Sequence, residues 1–276
     1  MPTYRDEAVV LRTHKLGEAD RIVTVLSRRH GKIRAVARGV RRTSSKFGGR
    51  LEPFSHVDLQ FATGRSLDVI TEAVTLHPWS EPLCTDYPRF TVGQVMLETA
   101  DRLVSVENEP SLPQFRLLAG ALRALTSGTA DGPRPATMVM DAYLLRAVAT
   151  AGFAPSLEGC ASCGVDGPHD SFSPAAGGVV CRRCRPPGTP AVRPDTLAYV
   201  AALVSGDWPA TRDVTSPTQR QASGLVAAFV SWHLDRGLRT LQHVDRQEPP
   251  TSTVRVSTSG RRPSPSDGSS SRISMV

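Results

Sequence analysis

No run of apolar residues approaches the roughly 18 that a membrane-crossing helix needs, and the opening MPTYRDEAVVLRTHK has no apolar signal core. The expectation is a soluble, cytoplasmic chain with no membrane partner. The sequence also has no GxxxxGKS/T, no GxGxxG after a strand, no GxSxG, no HExxH and no Asp-rich metal cluster. Without a nucleotide motif, a helicase or ATP-driven loader is not expected. Without a spacing that selects a catalytic set, neither is an enzyme. The most informative absence is local. From Arg28 to Arg50 (RRHGKIRAVARGVRRTSSKFGGR) there is no Asp or Glu, against nine Lys or Arg. Residues 1–50 carry thirteen basic and four acidic side chains, whereas the whole chain is only +7, so the positive end is a local feature. A field of this kind attracts polyanions over about a Debye length, roughly 8–10 Å. Nucleic acid is the first candidate and an anionic membrane the second.

With 276 residues the chain is long enough for two domains and attachments. Residues 1 to about 76 read as short strands and turns. Ala8–Leu11 begins one strand and Arg21–Leu26 forms a second after the turn Gly17-Glu18-Ala19-Asp20. His30-Gly31 then turns the chain into the alternating Lys32–Arg38. Alternation points Ile33, Ala35 and Ala37 inward, with Lys32, Arg34 and Arg38 outward beside Val36. A loop spans Arg41–Arg50, and further strands cover about His56–Phe61 and Leu67–Val74. Five short strands suit an antiparallel barrel, and the OB-fold is the best-known version that binds nucleic acid. The DNA-contacting set read from this pattern is Lys32, Arg34, Arg38, Arg41, Arg42, Lys46 and Arg50. Phe47 is the run's one aromatic, so charge is expected to outweigh base stacking.

After about Tyr87 the period becomes helical: Val92, Met96, Ala100 and Leu103; Phe115, Leu118, Leu122 and Leu125; Met138, Ala142, Leu145 and Val148. A further helix starts at Pro194. Another follows Ser216 as N-cap, with Pro217 in its first turn and Gln219 completing a capping box. His233 on that helix reads as a core-edge residue and Cys84 as a small buried or half-buried one. The expected fold class is therefore α+β: a barrel over 1–78, then an all-α domain over 79–246. The Ser/Pro/Arg-rich tail 247–276 is expected to be disordered.

Within the helical part, at about 156–188, lie Cys160-Ala-Ser-Cys163 and Cys181-Arg-Arg-Cys184, seventeen residues apart. This is zinc-ribbon spacing. Two residues between thiolates let one turn offer both sulfurs to one ion, and folding back once completes a tetrahedral site. Gly164 eases the first knuckle, and Gly177-Gly178 suits a hairpin turn between the pairs. Four sulfurs leave no position for water, so one structural Zn2+ is expected, not a catalytic one.

Three segments carry a family resemblance: Asp6–Arg12 through Gly17–Arg21, Ala37–Lys46, and Leu51-Glu52-Pro53-Phe54. Over residues 1–246 the chain resembles the bacterial recombination mediator RecO family, most closely its actinobacterial members. Some members lack the four cysteines. The resemblance implies an OB-fold, a helical domain and an embedded zinc element in a nucleoid-associated DNA-repair protein. It further implies binding of single- and double-stranded DNA and annealing of complementary strands. The implied partners are RecR, often RecF, and indirectly RecA, which is loaded onto DNA coated by single-stranded-DNA-binding protein; the helical domain contacts that protein's C-terminal tail. Two rivals share some of these features: a zinc-ribbon transcription or ribosome-associated factor, and a metalloenzyme acting on nucleic acid. The latter needs an open metal position and carboxylates that the sequence does not offer.

Overall fold

The computed structural model describes residues 2–234 and 237–246; the tail expected at 247–276 lies outside them. The amino-terminal part is a closed barrel of β1 (Thr3–Leu16), β2 (Asp20–Ser27), β3 (Gly31–Ala37), β4 (His56–Ala62) and β5 (Asp68–His77), in the order β1-β2-β3-β5-β4. Its interior is filled as the alternation requires. Ile33, Ala35 and Ala37 join Ala8, Val10, Val23, Val25, Leu59 and Phe61 in one apolar cluster. One pairing departs from the antiparallel expectation. The chain crosses over between β3 and β4, so β5 closes the barrel parallel to β3, with Ala35 beside Asp68 and Val36 beside Val69. This strand order is that of an OB barrel.

β1 begins five residues before the apolar run because its charged residues are individually paired. Arg5 bridges Asp58 and Glu72, each at 2.9 Å. Asp6, 2% exposed, accepts from the backbone N–H groups of Arg29 and His30 and lies 2.8 Å from His30 Nδ1. That carboxylate holds the turn into β3. At the turn, Gly31 (φ +67°) approaches the helical domain so closely that a Cβ would lie 1.7 Å from the Glu109 carbonyl oxygen; only glycine fits.

The helical part consists of α1 (Ser80–Cys84), α2 (Tyr87–Leu103), α3 (Leu112–Ser127), α4 (Ala136–Thr150), α5 (Pro194–Ser205) and α6 (Ser216–His233). Asp86 caps α2 by accepting from the Arg89 N–H at 3.0 Å, and Pro88 stands in the first turn. The apolar positions read from the sequence line the core, among them Met96, Phe115, Leu118, Leu122, Met138, Leu145 and Val148. α4 is buried on nearly all sides and forms the centre of the bundle. α6 starts one residue differently from the expected cap. Thr215 is the N-cap, its hydroxyl 3.0 Å from that of Thr218, and Gln219 reaches the Val214 carbonyl instead of closing a capping box. Cys84 corrects another expectation, because it is exposed at the end of α1.

The outer face of the barrel packs into the core of the bundle. Val9, Leu11 and Leu26 point out of the barrel into the helical cluster. Phe54, fully buried with φ 71°, sits against α2 where Gly93 leaves room; a Cβ there would lie 2.7 Å from the Phe54 ring. The segment Leu51–Phe54 thus joins the two parts, with Leu51 in the barrel core and Glu52 paired to Arg21 at 2.6 Å.

Candidate nucleic-acid interface and metal centre

The loop after β3 is shaped by the turn between β1 and β2. Gly39 N–H donates to Asp20 Oδ1 at 2.7 Å, and Arg41 N–H to the Ala19 carbonyl at 3.0 Å. The Arg41 guanidinium donates to the carbonyls of Glu18, at 2.7 Å, and Gly17. Farther along, Lys46 Nζ donates to the Thr71 carbonyl of β5 and stands 5.2 Å from the centroid of Phe47, whose ring fills the barrel core. Arg50 donates to the carbonyls of Lys46 and Phe47. A flexible-looking basic run is therefore a fixed loop that presents its cations along one end of the barrel.

The seven expected contact residues separate into three groups. Arg38 and Arg42 are exposed, with no protein partner for their guanidinium groups among the described residues. Arg41, Lys46 and Arg50 are exposed and anchored to carbonyls; a guanidinium has five N–H donors, so both arginines keep some free. Arg34 and Lys32 face the helical part. Arg34 is half-buried and lies 3.4 Å from Glu107. Lys32 is 8% exposed, with Nζ 2.9 Å from the Asp101 carbonyl oxygen and 3.4 Å from its carboxylate. The outward face expected for Lys32 is covered because the Glu107–Asn108 segment bridges to it, Asn108 N–H donating to the Lys32 carbonyl, while Asp101 of α2 takes its ammonium, and its role is to hold the two parts together. Phe47 is not an exposed stacking residue either. Sequence reasoning passed over an apolar row on the barrel's outer surface. His14 stands beside Ile22, Ile22 beside Val36, and Val36 beside Val69, all only partly buried apart from the exposed His14. The signal for this row was Val36 itself, an apolar residue on the predicted outer face.

The cysteine pairs come together as their spacing requires. The four Sγ atoms of Cys160, Cys163, Cys181 and Cys184 all lie within 4.8 Å of one another, and Cys163 and Cys181 are 3.8 Å apart. A tetrahedron with metal–sulfur bonds of about 2.3 Å has edges of about 3.8 Å, so the donors fit such an ion. Each pair sits in a knuckle: Gly164 N–H donates to the Cys160 carbonyl at 2.8 Å, and Arg185 N–H to the Cys181 carbonyl at 2.9 Å. Gly164 takes φ +76°, and Gly177 (φ +87°) turns the hairpin that pairs Phe172–Ser173 (β6) with Gly178–Val179 (β7). Backbone N–H groups, first that of Cys181, pull the Cys160 thiol down to about 6. The neighbouring sulfurs, Cys163 first, push Cys184 up to about 12. Four thiolates this close repel one another unless a cation lies among them, which is the chemistry of a metal centre. His169 does not join, its Nε2 lying 3.0 Å from the Val165 carbonyl. The element docks through Phe172, edge-on to Phe229 of α6 at 5.8 Å. His233, against Phe229 and Phe153, is the core-edge residue expected.

Comparison with known proteins agrees with this architecture. The family model described as recombination protein O N terminal matches residues 1–79, and recombination protein O C terminal matches 84–242. The chain is 63% identical over 246 residues to the DNA repair protein RecO of Cutibacterium acnes, covering 89% of this chain and 100% of that one. It is 56% identical to that of a Nocardioides species, covering 88% and 99%, and 54% to that of Thermobifida fusca, covering 89% and 100%. With both halves matched, the chain belongs to the RecO family.

Proposed function

We propose that this protein acts in DNA repair by gripping nucleic-acid phosphates with its basic loop and annealing complementary strands. The observation that carries the reading is the pair Arg38 and Arg42, exposed and without partners among the described residues, on a loop pinned to the β1–β2 turn. Arg41, Lys46 and Arg50 extend the positive surface, and Arg34 contributes from its edge. Contacts of this type are indifferent to sequence and respond to salt, because each neutralised phosphate releases counterions. Annealing then needs no active site. The protein reduces repulsion between phosphates and base pairing supplies the free energy. The row His14, Ile22, Val36 and Val69 beside the loop suits contact with unstacked bases.

In this reading residues 1–78 hold DNA and residues 79–246 form the platform for partners: RecR, often RecF, and the C-terminal tail of single-stranded-DNA-binding protein, in the service of RecA loading. The relatives' name, DNA repair protein RecO, supports the assignment. The four-cysteine centre holds one zinc ion as a structural clasp: when bound, it neutralises the thiolates and ties the two knuckles together.

The test is an annealing assay with two complementary oligonucleotides, one coated by the cognate single-stranded-DNA-binding protein. Faster pairing of the coated strand is expected, and the Arg38→Ala/Arg41→Ala/Arg42→Ala variant should lose most of the acceleration. A protein that binds only duplex promoter or folded RNA, and leaves the annealing rate unchanged, is a transcription or ribosome-associated factor and refutes the reading.

A further inference from the structure

A second cationic site lies away from the basic loop. Between the barrel and α3 is a cleft of about 300 Å³ whose rim carries Arg28 from the β2–β3 turn and Arg116 and Arg123 from α3. Arg116 and Arg123 are exposed and have no protein partner among the described residues. They stand two helical turns apart, about 10 Å along the axis, on the same face as Ala119 and Gly120. That stretch of helix is nearly bare, since a Cβ on Gly120 would meet nothing within 4 Å. The opposite wall is a nest of rings: His56, His77 and Trp79, with centroids 4.8–5.3 Å apart and planes within 15° of parallel. Trp79 and His56 are buried and His77 is exposed, so one imidazole of the nest is open to solvent. The cleft's carboxylate, Glu7, is already engaged, 2.7 Å from Arg28 and 2.9 Å from His56 Nε2. An anion entering therefore meets two uncommitted guanidinium groups.

We infer that this cleft takes a second nucleic-acid strand, with its phosphodiesters on Arg116 and Arg123 and a base against His77. The inference rests on the reading of the basic loop as the grip on the first strand. The cleft sits near Glu7 and the loop beside Gly17, separated by most of the length of β1, about 30 Å of extended chain. One molecule then holds two strands at once, which is what annealing requires. A phosphate chain suits the site better than an acidic peptide. The cations are two forked guanidinium groups spaced along an open trough, and the wall offers a flat ring for a planar base.

The test uses the full-length protein and short oligothymidylates at low salt, reading stoichiometry by titration and annealing separately. The wild type should take two strands. Arg116→Ala/Arg123→Ala should take one and anneal about tenfold more slowly, two phosphate contacts having been removed. Arg38→Ala/Arg42→Ala should also take one. If that loop variant keeps two strands, the loop reading fails. If the loop variant loses one strand while the cleft variant still binds two and anneals normally, the cleft inference is overturned and the loop reading stands. An acidic probe peptide that binds the wild type and not the cleft variant, with two oligonucleotides still bound in both, likewise overturns it and makes the cleft a protein-docking site. Circular dichroism confirms that each variant is folded.

Discussion

His56 shows how a single side chain ties the barrel to its neighbours. It is buried between Glu7, Trp79 and His77, with Nδ1 2.9 Å from Nδ1 of His77. One proton between the two nitrogens makes a hydrogen bond, whereas two would clash. Burial lowers its pKa below the ordinary histidine value, although the Glu7 carboxylate pulls the other way. A histidine with a depressed folded pKa contributes stability that is present at neutral pH and is lost as pH falls through that folded value. Asp141 acts with the opposite sign. Burial pushes it up to about 6, so its protonation on acidification favours the fold, and its contribution declines as pH rises through 6. Comparison with a variant separates the two. The unfolding free energy of the wild type from urea titration should fall between pH 7 and 5 more steeply than that of His56→Phe. Parallel profiles would exclude His56 as the source. Lys32 belongs to the same scale. Its ammonium serves Asp101, so Lys32→Ala should lower stability and leave the dependence of DNA affinity on salt unchanged.

At the scale of elements, the cysteine knuckles and the basic loop are two ways of fixing irregular chain. The loop is held by backbone and carboxylate contacts to Gly17–Asp20. The cysteine element has only two-residue strands and needs its cluster. Elemental analysis should find about one zinc per chain in protein purified without chelator. Cys160→Ser with Cys163→Ser should speed hydrogen exchange in α5 and α6 more than in the barrel, because metal binding is coupled to folding. A metal-free protein with unchanged exchange would contradict this. Much of this was legible in the sequence because spacing is geometry. Two C-x2-C pairs define a tetrahedron, and Ile33, Ala35 and Ala37 define an inner face. What stayed hidden depended on contacts between distant segments. Lys32 looks like any outward residue of β3 until Asp101 and the Glu107–Asn108 segment are placed over it. Arg5, Asp6 and Glu7 look like a solvated run until their partners on β4, β5 and the β2–β3 turn are known. The cleft was hidden for the same reason, since Arg28 and Arg116 are far apart in the chain.

For the whole molecule, charge and packing divide the labour. The net charge of +7 is less than the surplus carried by the first 50 residues, so the rest of the chain is slightly acidic and the barrel end is the natural landing place for a polyanion. Val9, Leu11, Leu26 and Phe54 anchor the barrel in the core of the helical part, which makes the barrel surface a rigid platform. The central claim, that this platform binds nucleic acid through phosphates at Arg38 and Arg42, is tested most directly by the affinity for single-stranded DNA as a function of salt concentration. The log–log slope for Arg38→Ala/Arg42→Ala should be shallower than that of the wild type by about 1.4, the contribution of two phosphate contacts on a single strand. An unchanged slope with unchanged affinity across the titration would contradict the account.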